Sequence, residues 1–109
     1  MSGTLLDALR TGGNDPTKQI QAAYAWFAAN KRQPPTVLDH GVLTQVDDDM
    51  NVVARVAYMT ALITVDGTEY AKQTVLGEAA YANEDIRILH KCLTVLEALR
   101  ELIKRGILQ

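Results

Sequence analysis

The sequence contains very little of what usually stabilises small secreted or metal-dependent domains. Its 109 residues include one cysteine, Cys92, so no internal disulfide can form and nothing indicates an oxidising compartment. Two histidines and one cysteine cannot supply the ligands of an ordinary zinc site without help from carboxylates. We therefore expect a chain that works without a metal ion or any other cofactor.

An excess of one charge and a long apolar run are also missing. The 11 lysines and arginines nearly balance 13 aspartates and glutamates, for a net charge of −2. This balance argues against a strongly basic nucleic-acid binder, although it allows a local basic strip. No stretch approaches the roughly 18 consecutive apolar residues of a membrane span, and the first residues do not resemble a signal peptide. We expect a cytoplasmic protein without membrane contact.

The remaining composition is that of an ordinary globular domain, with 48% apolar and 22% charged residues. A chain of this length is expected to form one domain with its own core. We divide it into residues 1–14, an N-terminal arm or short helix, and residues 15–109, a single α+β domain.

Two helices are predicted from their end signals. The first covers about residues 16–32, because Asp15 can cap it, Pro16 suits the first position and prolines follow Arg32. The second covers about residues 84–105, with Asn83 as the cap, acidic residues in the first turn and basic residues in the last. Its apolar arc covers about half the helix, which predicts burial on two sides. One side faces a sheet, and the other faces the first helix or another subunit.

The middle of the chain predicts an antiparallel sheet. Residues 52–65 are rich in Val, Ile, Thr and Tyr and run into Asp66-Gly67, a strong hairpin signal, so residues 68–76 form the return strand. Residues 41–46 pair on the other side, with the aspartates at 47–49 in the turn. A helix over residues 48–63, capped by these aspartates, is the alternative. The predicted fold class is α+β: a three-stranded antiparallel sheet packed by a long C-terminal helix, with an N-terminal helix.

No pattern in the sequence indicates catalysis. The chain has no Gly-x-Ser-x-Gly elbow and no glycine-rich phosphate loop, and the three aspartates lack the spacing of a calcium-binding loop. A pocket of Asp39, His40 and a tyrosine is conceivable, but nothing in the spacing selects it. We expect a protein that is not an enzyme.

Basic residues of the last helix are the candidate binding residues. Arg100 and Lys104 are four residues apart at one edge of the apolar stripe, where they can border a groove between helix and sheet. Lys91 on the same helix, and Arg55 and Lys72 on the two hairpin strands, are possible supporting contacts. The alternative is an ordinary solvated face in which glutamates pair weakly with these cations.

The order of these features resembles a known family. A strand, an Asp66-Gly67 turn, a strand, Gly77 and a helix whose residues 96–104 read Leu-Glu-Ala-Leu-Arg-Glu-Leu-Ile-Lys before Gly106 are similar to the β-β-β-α core of single-strand annealing recombinases. These are the recombination-mediator proteins of eukaryotes and, more distantly, the phage Erf and RecT types. The resemblance covers about residues 52–106.

The resemblance implies a role for particular residues. In that family the helix supplies cations to the groove that holds the DNA backbone, so Arg100 and Lys104 would contact phosphates. Glu101 stands where the family has a third cation, a reversal of charge. The family also implies assembly into rings of identical subunits.

Two functions are therefore predicted. The first is a non-enzymatic single-stranded DNA binding and annealing protein that forms a homo-oligomer, with Tyr58, Tyr70 or Tyr81 stacking on bases or packing in the sheet. The alternative is a small phage or bacterial protein–protein interaction module, such as an inhibitor, adaptor or assembly factor that binds a host protein and no nucleic acid. Self-association is expected because of the wide apolar stripe and the unprotected sheet edges.

Overall fold

The computed structural model describes residues 3–77 and 82–109, without the side chain of Asp39. The helices and strands follow in the order α1 (Leu5–Thr11), α2 (Pro16–Ala29), β1 (Thr36–Val46), β2 (Val52–Val65), β3 (Thr68–Gly77) and α3 (Glu84–Lys104). The strands form one antiparallel sheet in the order β1-β2-β3. Helix α3 packs on the sheet, and α1 and α2 pack on α3. The α+β class predicted from the sequence is confirmed.

The helices begin where the capping signals predict. The Asp15 side chain accepts a hydrogen bond from the Thr17 amide at 3.0 Å, and the Asn83 side chain accepts one from the Ile86 amide at 3.2 Å. Helix α2 ends at Ala29, before the predicted end near residue 32, because Lys31 adopts a left-handed conformation with φ of 54°. The first residues form the short helix α1, capped by Thr4.

The central strand β2 has the predicted bounds, so the alternative helix over residues 48–63 does not form. At the β2–β3 turn, Asp66 and Gly67 have φ values of 51° and 84°, the positive pair that a tight hairpin requires. Backbone amides of Asp49 and Asn51 donate to the Asp47 carboxylate, which lowers its pKa and forms the predicted turn between β1 and β2.

Strand β1 is longer than predicted, because it begins at Thr36 and not near residue 41. The pairing register shifts between Val37 and Asp39, so the strand contains an irregularity of the bulge type. The residue inserted between Val37 and Asp39 breaks the alternation of apolar and polar side chains. Because strands are predicted from that alternation, the first half of β1 could not be recognised in the sequence.

The two faces of the sheet differ in what covers them. We call the face under α3 the inner face; it carries the buried row of β2, which is Ala57, Met59, Ala61, Ile63 and Val65. Its last three residues, from Ala61 to Val65, join the core formed by α1, α2 and α3, in which Leu5, Phe27, Leu96 and Leu99 are fully buried. We call the opposite face the outer face; it carries the even-numbered side chains of β2 from residue 54 to residue 64 and those of their partners.

Glycine at position 12 allows α1 to approach α2. A Cβ atom built on Gly12 would lie 2.5 Å from the backbone nitrogen of Gln19 and 2.7 Å from its Cα, so backbone atoms would have to shift. We expect Gly12→Ala to lower the free energy of unfolding by about 1–3 kcal/mol, as overpacking does. Urea denaturation followed by circular dichroism measures this loss.

The matched control for this prediction is Gly77→Ala. A Cβ atom at Gly77 meets no described heavy atom within 4 Å, so the same chemical change should alter stability much less. Equal losses in the two variants would contradict the proposed close approach of the helices.

A buried polar group joins α3 to β3. His90 is 2% exposed, and its Nε2 atom lies 2.9 Å from the Thr74 hydroxyl. The Thr74 hydroxyl also forms a hydrogen bond with the Thr94 hydroxyl. The Thr94 hydroxyl lies 2.7 Å from the His90 carbonyl oxygen, to which it donates. Burial lowers the pKa of His90, so the folded protein holds the imidazole in its neutral form.

The buried histidine predicts a loss of stability in acid. In the unfolded chain His90 takes up a proton near its ordinary pKa of about 6.5, whereas the folded protein binds this proton only at lower pH. Its contribution is therefore lost progressively as the pH falls below that value. We expect the melting temperature of the parent chain to fall more between pH 7.5 and pH 5 than that of His90→Gln. An equal fall in melting temperature for the two proteins over this pH range would contradict a neutral, buried His90 in the folded state.

Candidate functional site

The outer face of the sheet carries hardly any charge. Among its described side chains, only Glu69 is charged, at the end of the sheet next to the β2–β3 turn. The register also places Asp39, whose side chain is not described, opposite Thr60 on this face. The large apolar and aromatic side chains of the face are Leu43, Val56, Tyr58, Leu62 and Val75, and its uncharged polar ones include Gln45 and Gln73. Solvated faces of antiparallel sheets normally carry polar and charged residues on the water side. The low charge among the described side chains is therefore the feature that is typical of a covered surface.

No described helix covers this face, since α3 packs on the inner face and α1 and α2 pack on α3. Val75 is 52% exposed and Leu43 is 41% exposed. At the centre, the Tyr58 ring lies across its cross-strand partner Gly41, so that a Cβ atom there would come within 3.1 Å of Tyr58 Cε1. The aromatic ring thereby lies along the sheet and contributes apolar surface to it.

A two-stranded arm extends the sheet beyond its third strand. Strand β3 pairs with β2 between Val56 and Val65, so residues 44–55 of β1, its turn and β2 form a hairpin to which no described residue adds a third strand. We call these residues the hairpin arm. It exposes four large apolar side chains, those of Val46, Met50, Val52 and Val53. An isolated two-stranded hairpin is marginally stable in water, so this arm gains most from a covering partner.

Arg100 lies on a different side of α3 from the sheet. Its Nη2 atom donates a hydrogen bond to Gln19 Oε1 at 3.0 Å, and its side chain borders a hollow with Leu6 and Arg10 of α1. Lys104, one turn further along α3, is exposed on the same flank. Arg100 therefore borders the N-terminal helices, and neither cation lines the groove between helix and sheet.

Lys72 lies in the groove between α3 and β3, where its Nζ atom is 3.2 Å from Glu101 Oε2. The same cleft, with a volume of about 400 Å³, is lined by Glu69 and by Arg105, whose guanidinium lies 5.8 Å from the centre of the Tyr70 ring. The groove has the basic side chains of Lys72 and Arg105 and the acidic one of Glu101, while the register places the Glu69 side chain on the outer face. Glu101, which replaces a cation of the resembled family, thus neutralises Lys72, one of the cations that were predicted to bind DNA.

The remaining predicted cations lie in two further places. Lys91 lines a cleft of about 570 Å³ between α3 and β1, together with His40, Arg87 and Glu84. Arg55 lies on β2 within the hairpin arm. Across the described residues, the five predicted contacts are therefore distributed over four separate surfaces, and no single groove brings more than two of them together.

The tyrosines do not form a common stacking platform. Tyr58 lies on the outer face, whereas Tyr70 lies on the inner face beneath Arg105. Tyr81 falls outside the described residues. One nucleic-acid strand cannot stack on both of the described rings without crossing the edge of the sheet.

Residues with metal-binding or nucleophilic chemistry are dispersed. Within residues 3–77 and 82–109, no group of three His, Cys, Asp or Glu side chains is arranged to hold a metal ion. The Cys92 thiol is partly buried, and this burial raises its pKa and disfavours the reactive thiolate. His40 lies in the cleft beside Lys91. The described helices include none with the length and apolar character that crossing a bilayer requires.

Comparison with known proteins found no match to a family model, to a curated protein or to a solved structure. The resemblance to single-strand annealing recombinases stays a prediction, supported by the order of the elements and by the residues quoted for it. The outer face and the hairpin arm were not identified as a site from the sequence. A signal for them was present, since β2 carries one charged residue, Arg55, in 14 positions.

Replacing Arg100 and Lys104 by alanine tests the predicted phosphate contacts. Since these side chains lie apart from the other predicted cations, we expect the double variant to bind a labelled single-stranded oligonucleotide no more weakly than the parent chain. The resemblance predicts a loss of binding, with a salt slope smaller by about two units. Fluorescence anisotropy across a salt series measures this. Both side chains are exposed, so an unchanged melting temperature verifies folding. A loss of binding by the folded variant would contradict our expectation.

Proposed function

We propose that this chain is a non-enzymatic protein–protein interaction module that binds its partner through the outer face of the sheet. The observation that carries the proposal is that the described side chains of this face include one charge, that of Glu69, in a protein with 24 charged residues. Charged residues are depleted at the centres of protein interfaces, where tyrosine and other aromatic residues are enriched. Tyr58, with Val56 and Val75 beside it, matches that composition.

The location of the other charged residues supports the same proposal. Lys72 and Glu101 pair on the inner side, and Arg100 binds Gln19 at the N-terminal helices. These charged residues thus lie away from the outer face, on which the apolar side chains of Val56, Tyr58 and Val75 are neighbours. A contiguous apolar patch on a small protein commonly marks an interaction site. The proposal includes a cytoplasmic location, which the single cysteine favours.

Binding of single-stranded DNA receives less support from the geometry. Such binding combines cations that follow the phosphate backbone with aromatic rings on which bases stack. The outer face has an aromatic ring, Tyr58, and its one described charge is the negative Glu69. The inner groove has the cations Lys72 and Arg105, and Glu101 pairs with the first of them. Single-stranded DNA binding therefore remains a prediction from the sequence, ranked below protein binding.

A photo-crosslinking experiment tests the proposed function. The photoreactive residue p-benzoylphenylalanine would replace Val75 on the outer face or, in a matched control, Ile88 on α3. The two positions are 52% and 54% exposed, so they differ in location and not in accessibility. After irradiation in cells, we expect protein adducts heavier than the 12.0 kDa chain from position 75 and few from position 88.

Two results of this experiment would contradict the proposal. The first is an absence of adducts at position 75, or equal yields at both positions. The second is an adduct at position 75 that disappears after nuclease treatment, because it would show that nucleic acid contacts the outer face.

A further inference from the structure

The structure also indicates what partner the outer face accepts. We infer that this partner is a second copy of the chain, so that two sheets stack face to face around a two-fold axis with their α3 helices on the outside. This inference rests on the proposed function, because it identifies the partner of the same surface. It assigns self-association to the sheet and not, as the sequence suggested, to the wide apolar stripe of α3.

The packing of α3 removes part of the earlier reason for self-association. In the later half of the helix the second side of the apolar stripe is buried within the chain, since Leu96 and Leu99 are fully buried in the core with α1 and α2. The first half keeps four exposed large apolar side chains, those of Ile86, Ile88, Leu89 and Leu93. The outer face together with the hairpin arm is a second uncovered apolar surface among the described residues, and it is the one to which we assign self-association.

The charge on the outer face fits a second copy. A two-fold axis brings each patch against an identical patch, so a charged residue near the axis would lie close to its own copy and repel it. Among the described side chains, none that is charged lies at the centre of the face, around Val56, Tyr58 and Val75; Asp39, whose side chain is not described, pairs with Thr60 next to this centre. Glu69 lies at the end of the sheet, away from this centre. A partner recognised by charge would instead require charged residues on this surface, and the described side chains do not provide them.

The size of the face also fits a dimer. Ten residue pairs join β2 and β3, and with strands about 4.8 Å apart and about 3.4 Å per residue the three-stranded part measures about 34 by 14 Å. The hairpin arm extends it in a molecule 58 Å long. The flat area is then about 500–600 Å², and the relief of the side chains increases the accessible area. A stable interface buries about 800 Å² on each partner, so a second copy would use the whole face and the arm.

The relief of the face permits two sheets to interlock. Leu62 lies opposite the small residue Ala71, whereas the Tyr58 ring fills the space over Gly41, so larger and smaller side chains lie next to each other on one surface. Stacked sheets pack about 10 Å apart when their side chains interdigitate. The second sheet would also cover the outer side of the hairpin arm. A four-layer arrangement results, in the order helix, sheet, sheet, helix.

Sedimentation velocity on Val75→Lys and Ile88→Lys tests this inference. We expect the parent chain and Ile88→Lys to sediment at twice the 12.0 kDa mass at tens of micromolar. Val75→Lys would bring two lysines into the interface, and we expect the dimer to dissociate at least about a hundredfold more readily, because buried ammonium groups lose hydration. Circular dichroism verifies folding. Val75→Ser, a milder change, should weaken the dimer in the same direction and covers the case in which the lysine variant misfolds.

The outcomes separate this inference from the proposed function. A parent chain that remains monomeric at 100 μM, with adducts at position 75 that contain a different protein, would overturn the second copy and leave the interaction module intact. A dimer that survives Val75→Lys and Val75→Ser but dissociates in Ile88→Lys would transfer the interface to α3. A lack of any adduct at position 75 would remove the proposed function and the inference together.

Discussion

The packing of α3 on one face of the sheet is the contact on which the rest of the structure depends. Small and larger residues alternate along most of the buried row of β2, which runs in the order Ala57, Met59, Ala61, Ile63 and Val65. This alternation lets a helix approach the sheet closely. Buried contacts of His90 with Thr74 then hold α3 against β3. Because α1 and α2 pack on α3, all described helices are on one side of the sheet.

This one-sided arrangement explains the contrast between the two sheet faces. The inner face combines a buried apolar row with charged residues at its edge, such as Lys72 paired to Glu101. No described helix covers the outer face, and its described side chains carry one charge, that of Glu69. A small domain can expose some apolar surface without consequence, since apolar atoms form much of any protein surface. A sheet face with so little described charge and an apolar arm at its end is a different case, and it is the basis of the proposed binding to another protein.

The geometry also clarifies the likeness to annealing recombinases. The structure contains the strand, the Asp66-Gly67 turn, the second strand and the long helix in the order that suggested the family. The candidate cations are distributed differently from the expected DNA groove. Glu101 reaches across to Lys72 and reduces the positive charge of the groove, and Arg100 is directed to Gln19. A common arrangement of elements can thus serve different binding surfaces.

Local signals in the sequence determined most of the secondary structure. The caps Asp15 and Asn83 and the Asp66-Gly67 turn act through hydrogen bonds and backbone preferences of neighbouring residues, so their positions could be predicted. The bulge near Leu38 and the left-handed Lys31 that follows the end of α2 depend on local backbone geometry. The periodicity of apolar residues does not encode this geometry.

Only the tertiary structure determined which surface each candidate binding residue faces. Arg100 lies at the edge of the α3 stripe in the sequence pattern, but whether that edge faces β3 or α1 depends on how the helix is rotated between its neighbours. The same packing decided that the second side of α3 is filled by α2 and that the outer face stays uncovered. Periodicity gives the spacing of side chains around one helix or along one strand. Periodicity does not show which element packs against each side of a helix or strand, because that element comes from a distant part of the chain.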